Sequence, residues 1–395
     1  MVFTTTEFTF MFFPIAIILW AIGKVINNIG KVKKTRIADI ILVILSIAFF
    51  GWGSFATIWW LIALIGFVYI SGLLICRLRI VHDGKISRII LVVSIVILIA
   101  FLGYYKYRGF CIGIVNNLFM TNIVVKSVAT PLGISFITFT AISYLADVYL
   151  NVAETGSLLD CALYISFFPK LVSGPIVLWR DFKPQINSRC LNRDRIYEGL
   201  QRICVGFGKK LILADTFGSV ITLIDSNYLS LGIDCPTAWL AVILYWLQLY
   251  YDFSGYSDIA IGLADIFGFK FSENFHFPYV SCSIAEFWRR WHISLGTWFR
   301  QYVYFPLGGS RKGKCRTVLN LSIVFLLTGI WHGAGFNYFL WGAINGLFVV
   351  FDHLVKDNRI WKRVPNLFKW IGTVIISVAF WEFFRFSSVV TDFSA

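Results

Sequence analysis

Charged residues are scarce in this sequence, and hydrophobic residues are abundant. Charged side chains make up 14% of the 395 residues and hydrophobic ones 58%, whereas soluble domains carry about 25% charged residues. So few charges cannot cover an exterior that faces water. The composition therefore excludes a soluble globular protein, a disordered chain and a secreted disulfide scaffold. It predicts an all-α protein that crosses a membrane many times.

Several motifs are also missing from the sequence. The eight cysteines include no pair closer than fourteen residues, so neither a CxxC metal pair nor a compact disulfide framework is present. The sequence also lacks a Walker A loop, a GxGxxG turn, an HExxH helix and a GxSxG elbow. We therefore predict no metal site and no bound cofactor.

Apolar runs alternate with short polar connections, and the chain has room for roughly ten to twelve crossings. The runs lie near 8–23, 38–53, 56–76, 89–105, 129–150, 158–178, 211–230, 237–267, 317–332, 337–355 and 366–386. The net charge of +14 is concentrated in the connections, including loops near 24–36 and 77–88. This bias is typical of a cytoplasmic face. The N-terminus is therefore predicted outside, the lipid bilayer is the expected surrounding, and no nucleic-acid partner is expected.

Two of the apolar runs contain unusual polar residues. The run 158–178 holds two prolines and Lys170, which predicts a broken or re-entrant helix. In the run 237–267, Asp258 and Asp265 are seven residues apart and share a helical face. Two interpretations of this pair stay open: it lines a wet cavity, or it holds helices together through polar contacts.

His332 ends an apolar run and precedes Gly333, Ala334 and Gly335. Three small residues are expected to leave the imidazole ring uncrowded and to let a ligand approach the backbone. A buried imidazole is a natural general base for activating a hydroxyl. His332 is therefore a candidate catalytic base, and a helix-packing histidine is the alternative.

A second candidate lies in a cluster of charged and aromatic residues. Glu286 precedes Arg289 and Arg290 by three and four residues, and Trp288 precedes His292 by four. These spacings predict contacts on one face of a rigid, charged helix at the inner membrane face. His292 either orients a substrate or caps the cluster, and both interpretations stay open.

These residues belong to motifs that resemble the signature of the membrane-bound O-acyltransferases. The motifs are PLGISF at 131–136, GPI at 174–176, YDFSGYSD at 251–258, WRRWHISL at 288–295, WFR at 298–300, PLGGSRKG at 306–313 and TGIWHGA at 328–334. Within that family they are similar to the membrane component of bacterial alginate and polysaccharide O-acetyltransferases.

The resemblance implies a fold and a location. The fold is a single family domain over 1–395, with N-terminal helices at 1–128, a core with the motifs at 129–355 and a truncated C-terminal helix at 356–395. Its transmembrane and re-entrant helices form a ring around a central tunnel. The expected location is the bacterial inner membrane.

The resemblance also implies a chemistry. His332 matches the essential histidine of the family, and His292 matches a second, helper position. The donor in this branch is acetyl-CoA from the cytoplasm. Its negative charges suit a basic mouth formed by Arg289, Arg290, Arg300, Arg311, Lys312 and Lys314. Of these, Arg289, Arg290 and Arg300 are the candidate contacts of its phosphates. The acceptor is a hydroxyl that feeds O-acetylation of an extracellular polysaccharide. A secreted or membrane-anchored SGNH-type partner completes the transfer.

Two departures and two alternatives accompany the resemblance. Gln301 stands where relatives tend to carry Asp, and the chain stops soon after Phe386, earlier than many relatives. One alternative is the D-alanyl branch of the family, which takes its donor from a carrier protein. The other is a multispan transporter that couples cations through Asp258 and Asp265.

Overall fold

A computed structural model describes residues 3–29, 36–81, 84–125, 128–189 and 192–392. Within these ranges the chain forms sixteen α-helices and no β-strand. The helices are α1 Phe13–Ile29, α2 Ile37–Ser54, α3 Ile58–Val81, α4 Lys85–Phe119, α5 Ile134–Tyr149, α6 Leu158–Ser166, α7 Trp179–Ser188, α8 Arg193–Phe207, α9 Asp215–Leu231, α10 Cys235–Ile266, α11 Ile284–Arg290, α12 Ile293–Phe299, α13 Lys314–His332, α14 Phe336–Val355, α15 Arg359–Arg363 and α16 Asn366–Asp392.

Six helical segments among the described residues are long and apolar enough to cross a membrane. They are Phe8–Asn27, Phe55–Arg79, Lys85–Phe119, Lys314–His332, Phe336–Val355 and Asn366–Arg385. The apolar runs near 38–53 and 129–150 form two shorter helices, Ile37–Gly53 and Ile134–Tyr149. These segments confirm the prediction of an all-α, multi-pass membrane protein. The roughly ten to twelve crossings stay a prediction. The ring around a central tunnel stays a prediction.

The chain divides into two compact units. The first contains Met1–Cys204 and Asp258–Ser272, and the second contains Val205–Ser257 and Glu273–Ala395. The single domain predicted over the whole chain stays a prediction. Residues 30–35 and 82–83, which belong to the two predicted basic loops, lie outside the described residues.

In the first unit, the apolar run 158–178 is interrupted as the sequence predicts. Helix α6 ends at Ser166, and a single 3₁₀ turn follows at Phe168–Lys170. Lys170 is only 4% exposed, and its Nζ lies 3.9 Å from the centroid of the Tyr164 ring. Nζ also donates to Thr140 Oγ1 at 3.3 Å. A hydroxyl and an aromatic face thus accommodate the buried lysine.

The first unit also places Asp258 and Asp265 beside α8. Arg202 Nε donates to Asp258 Oδ1 at 3.0 Å, and Arg195 Nη2 donates to Asp265 Oδ1 at 3.0 Å. Both carboxylates are therefore compensated by a guanidinium. Of the two interpretations left open by the sequence, the ion pairs support polar contacts that hold helices together.

In the second unit, α13 and α14 pack closely because glycines line their contact. A Cβ atom at Gly342 would lie 2.6 Å from the carbonyl oxygen of Phe325. A Cβ at Gly329 would lie 2.4 Å from the carbonyl oxygen of Tyr338. No side chain fits at such distances, so both positions require glycine. The close pair fixes where the end of α13, and with it His332, lies relative to α14.

Large aromatic side chains fill the core of the second unit. Phe287 of α11, Trp341 of α14 and Phe380 of α16 are each at most 1% exposed. Trp288 Nε1 donates to Asn345 Oδ1 at 3.1 Å, which connects α11 with α14. These contacts hold the short helix α11 in place and so position the WRRWH motif.

Candidate active site

The helix predicted over the WRRWH motif is broken in the middle of the motif. Helix α11 ends at Arg290 and α12 begins at Ile293, so the prediction of one helix carrying both Glu286 and His292 is wrong. His292 has φ 45° and ψ 52°, a left-handed conformation that costs a non-glycine residue about 1–2 kcal/mol.

Backbone pairing with the preceding loop stabilises this break. The Ile293 N–H donates to the carbonyl oxygen of Asn274 at 2.9 Å, and the His276 N–H donates to that of Arg290 at 2.9 Å. These bonds form only if the chain turns at His292, which offsets the conformational cost.

The side chain of His292 is buried in a polar network. It is 3% exposed, and Asn274 is 1% exposed. His292 Nδ1 lies 3.0 Å from Asn274 Oδ1, and the Ser294 hydroxyl donates to the same oxygen at 2.8 Å. On the other side of Asn274, its Nδ2 donates to Ser257 Oγ at 3.0 Å. The site therefore depends on an asparagine that the sequence analysis did not single out.

His332 lies at the end of α13 among aromatic rings. Its ring centroid lies 4.8 Å from Trp331, 5.1 Å from Trp341 and 5.1 Å from Phe384. A Cβ at Gly333 would lie 1.9 Å from the Tyr338 ring. The prediction that small residues leave the His332 ring uncrowded is therefore wrong, because Trp331, Trp341 and Phe384 pack against that ring.

Trp331 connects the two histidines. Its ring centroid lies 6.4 Å from that of His292 as well as 4.8 Å from that of His332. Burial, and secondly the electrostatic influence of the nearby His332, lower the pKa of His292 well below its ordinary value. His292 is therefore a neutral imidazole at pH 7. The structure brings together two histidines that are forty residues apart in sequence.

A cavity of about 710 Å³ in the second unit reaches His292. The basic residues that line it are Arg289, Arg300, His353, Lys356, Lys362 and Lys369. His332 is not among the lining residues, although Thr328, one helical turn before it, is. The volume lies within the range of small-molecule sites, and the excess of cationic side chains suits an anionic ligand.

The three arginines expected to contact a donor have different surroundings. Arg289 and Arg300 line the cavity, and Arg290 does not. Arg290 Nη2 instead lies 2.9 Å from Glu286 Oε1. Burial raises the pKa of Glu286, but the Cys282 N–H and Arg290 outweigh it and hold that pKa below its ordinary value. Glu286 therefore stays ionised and binds Arg290.

The cavity carboxylate Asp352 also has a structural partner. Its Oδ2 accepts a hydrogen bond from the Ala285 N–H at 2.7 Å, at the start of α11. Negative charge at a helix N-terminus is favourable. Within the described residues, no group of three or more His, Cys, Asp or Glu side chains could hold a metal ion.

Three lysines of the cavity wall could not be recognised from the sequence. Lys356, Lys362 and Lys369 lie between and at the ends of the last two spans. A basic loop there is indistinguishable from a topology signal when only the sequence is considered. Their place in the same cavity wall as Arg289 and Arg300 depends on how α14, α15 and α16 fold.

Comparison with known proteins identifies the family. The sequence model of the MBOAT family, the membrane-bound O-acyltransferases, matches residues 101–389. The probable alginate O-acetylase AlgI of Pseudomonas aeruginosa is 38% identical over 98% of this chain and 72% of its own length. The peptidoglycan O-acetyltransferase of Helicobacter pylori is 30% identical over 98% of this chain and 77% of its own.

A relative with a different acyl group is also similar. The teichoic acid D-alanyltransferase of Bacillus subtilis is 29% identical over 63% of this chain and 65% of its own length. The family model covers most of this chain, and the two O-acetylating relatives align over nearly all of it. This chain therefore belongs to the membrane-bound O-acyltransferase family and is a multi-pass membrane acyltransferase.

Proposed function

We propose that this protein transfers an acetyl group from cytoplasmic acetyl-CoA to a hydroxyl, and thereby feeds O-acetylation of an extracellular polysaccharide. The observation that carries the proposal is the cavity that runs from Arg289, Arg300 and three lysines to His292. CoA carries several phosphate charges at one end and its thioester at the other. A basic mouth with a buried imidazole beyond it matches that order of groups.

The proposed chemistry is general-base catalysis of acyl transfer. His332 accepts the proton of the acceptor hydroxyl while the oxygen attacks the thioester carbonyl. A C–O bond forms, the C–S bond breaks, and CoA leaves as its thiolate. Assistance of this kind contributes roughly 10²–10⁴-fold to a rate. His292 contacts the reactants from the side of the cavity.

The names of the relatives support the proposed acceptor. The relatives include an alginate O-acetylase and a peptidoglycan O-acetyltransferase, so the acceptor class is a polysaccharide outside the bacterial inner membrane. An SGNH-type acetyltransferase is the proposed partner that completes transfer. The basic loops are proposed to face the cytoplasm, where acetyl-CoA is made.

The two alternatives differ in their support. D-alanyl transfer from a carrier protein is supported by relatives of lower coverage, such as the teichoic acid D-alanyltransferase of Bacillus subtilis. Cation-coupled transport through Asp258 and Asp265 loses its basis, because arginines of α8 compensate both carboxylates.

The test is acetyl-CoA turnover by purified protein in detergent with a polysaccharide acceptor present, followed as release of free CoA. We expect the wild type to release CoA and His332→Ala to lose at least about a hundredfold in rate. His276→Ala is the matched control, because His276 contacts Arg290 outside the cavity lining and the variant should keep the wild-type rate. Full turnover by a folded His332→Ala protein contradicts the base assignment. Absence of turnover by the wild type, with activity towards an acylated carrier protein, favours the D-alanyl branch.

A further inference from the structure

We propose that Asn274 is a positioning residue that holds His292 with its proton on Nδ1, so that Nε2 presents a lone pair to an N–H or O–H group of the reactants. This inference rests on the proposed function and defines the role of the second histidine in it.

The orientation of the Asn274 amide follows from a backbone donor. The Ser294 N–H points at the side-chain atom Oδ1 of Asn274 at 3.3 Å. A backbone N–H can only donate, so the atom that it meets must be the carbonyl oxygen of the amide. The opposite side of the amide is consistent, because Asn274 Nδ2 donates to Ser257 Oγ at 3.0 Å.

The tautomer of His292 follows from the orientation of Asn274. Oδ1 has no hydrogen, so the 3.0 Å contact with His292 Nδ1 is a hydrogen bond only if Nδ1 carries the proton. A neutral imidazole has one proton on its ring nitrogens. Nε2 is therefore the basic nitrogen of His292.

Packing keeps the His292 ring from flipping over, which would turn Nδ1 away from Asn274. Phe253 meets the His292 ring edge to face at a centroid distance of 4.6 Å, and Trp331 lies 6.4 Å away. Within the described part of the chain, His292 Nε2 is buried without a hydrogen-bond partner. A buried acceptor left without a donor is unfavourable, and His292 lines the cavity. A reactant that donates to Nε2 would satisfy it.

This tautomer restricts what His292 can do. A neutral ring with its proton on Nδ1 cannot donate from Nε2, so His292 does not stabilise an oxyanion by donating from that atom. It accepts a hydrogen bond instead. The hydrogen-bond donor is either an amide N–H of the pantetheine arm of acetyl-CoA or a hydroxyl of the acceptor other than the one whose proton His332 accepts.

The decisive experiment is ¹⁵N NMR of the imidazole nitrogens in purified, bilayer-embedded protein, with the His292→Gln spectrum identifying the His292 signals. We expect a protonated Nδ1 and an unprotonated Nε2 in the wild type. Asn274→Leu should no longer favour this tautomer. Its kcat/KM for acetyl-CoA should fall about tenfold, which is the effect of losing one hydrogen bond. Asn274→Asp keeps an acceptor at the same place and should retain the tautomer and most of the rate.

Asn320→Leu is the matched control. Asn320 is a buried asparagine that binds the backbone of Leu307 and Gly309 and not His292, so its loss should lower stability and leave the His292 tautomer unchanged. If Asn274→Leu raises KM for acetyl-CoA, the group that donates to Nε2 belongs to acetyl-CoA. If the variant lowers kcat, that group belongs to the acceptor.

A wild-type His292 protonated on Nε2 overturns the proposal, and so does an Asn274→Leu variant with unchanged kcat/KM. The wild-type spectrum does not depend on activity, so it decides the tautomer of His292 even if Asn274→Leu fails to fold, and Asn274→Asp then tests the role of Asn274. Absence of acetyl-CoA turnover in the wild type instead rejects the proposed function and leaves the tautomer to be decided by the spectrum.

Discussion

Arg289 and Arg290 are neighbours in sequence with different surroundings in the structure. Arg289 lines the cavity, whereas Arg290 is ion-paired with Glu286. We expect Arg289→Gln to raise the KM for acetyl-CoA about tenfold, because one charge-assisted contact with a phosphate is lost. Arg290→Gln should leave KM within about twofold, since it removes a partly exposed ion pair worth at most about 1 kcal/mol. Steady-state CoA release measures both.

The same two variants also test whether the cavity binds acetyl-CoA. If Arg290→Gln raises KM as much as Arg289→Gln does, the cavity is not the donor site. A lower melting temperature of Arg290→Gln with normal KM is consistent with the structure, because the Glu286 pair connects two turns of α11.

The sequence could not separate these two residues. Glu286 lies three residues before one arginine and four before the other, and both spacings permit an ion pair on a helix. Asn274 was less predictable still. It lies in a loop without periodicity, and its contact with His292 depends on the left-handed turn at His292.

At the scale of helices, the close contact of α13 and α14 determines the surroundings of His332. We expect Gly342→Ala to lower stability by about 1–3 kcal/mol, because the new Cβ would lie 2.6 Å from the Phe325 carbonyl oxygen. The shift should also reduce acetyl transfer, since His332 ends α13. Thermal unfolding in detergent and CoA release measure the two effects.

Gly372→Ala is the matched control for this helix contact. Gly372 lies within α16, and a Cβ there would meet nothing within 4 Å. Alanine is the better helix former by about 0.5–1 kcal/mol, so this variant should be as stable as the wild type or more so. Equal stability of Gly342→Ala and Gly372→Ala would show that α13 and α14 do not pack as described.

Helices were the most predictable level of the structure. A long apolar run is enough to predict a membrane-spanning helix, because lipid requires each segment to satisfy its backbone hydrogen bonds internally. Two prolines likewise indicate the interruption between 158 and 178. The break at His292 carries no such signal: neither proline nor glycine is present at 288–295, and the turn is stabilised by hydrogen bonds from a distant loop.

For the whole molecule, the distribution of charge predicts the side from which the donor enters. The cationic cavity wall includes Lys356 and Lys362, which belong to the connection between the last two spans. The positive-inside bias places such connections in the cytoplasm. Composition and loop charge thus predict both membrane class and orientation, whereas the cavity itself requires the folded chain.

Sealed membrane vesicles of known orientation test directly whether His332 promotes acetyl transfer from acetyl-CoA at the cytoplasmic face. Acetyl-CoA is highly charged and does not cross a bilayer, so it reaches only the outer surface of each vesicle. Inside-out vesicles expose the cytoplasmic face. We predict that they release CoA at least about a hundredfold faster with the wild type than with His332→Ala, and that right-side-out vesicles release none. Release by right-side-out vesicles alone would show that acetyl-CoA does not enter from the cytoplasm. Equal release by wild type and His332→Ala would show that His332 is not the base.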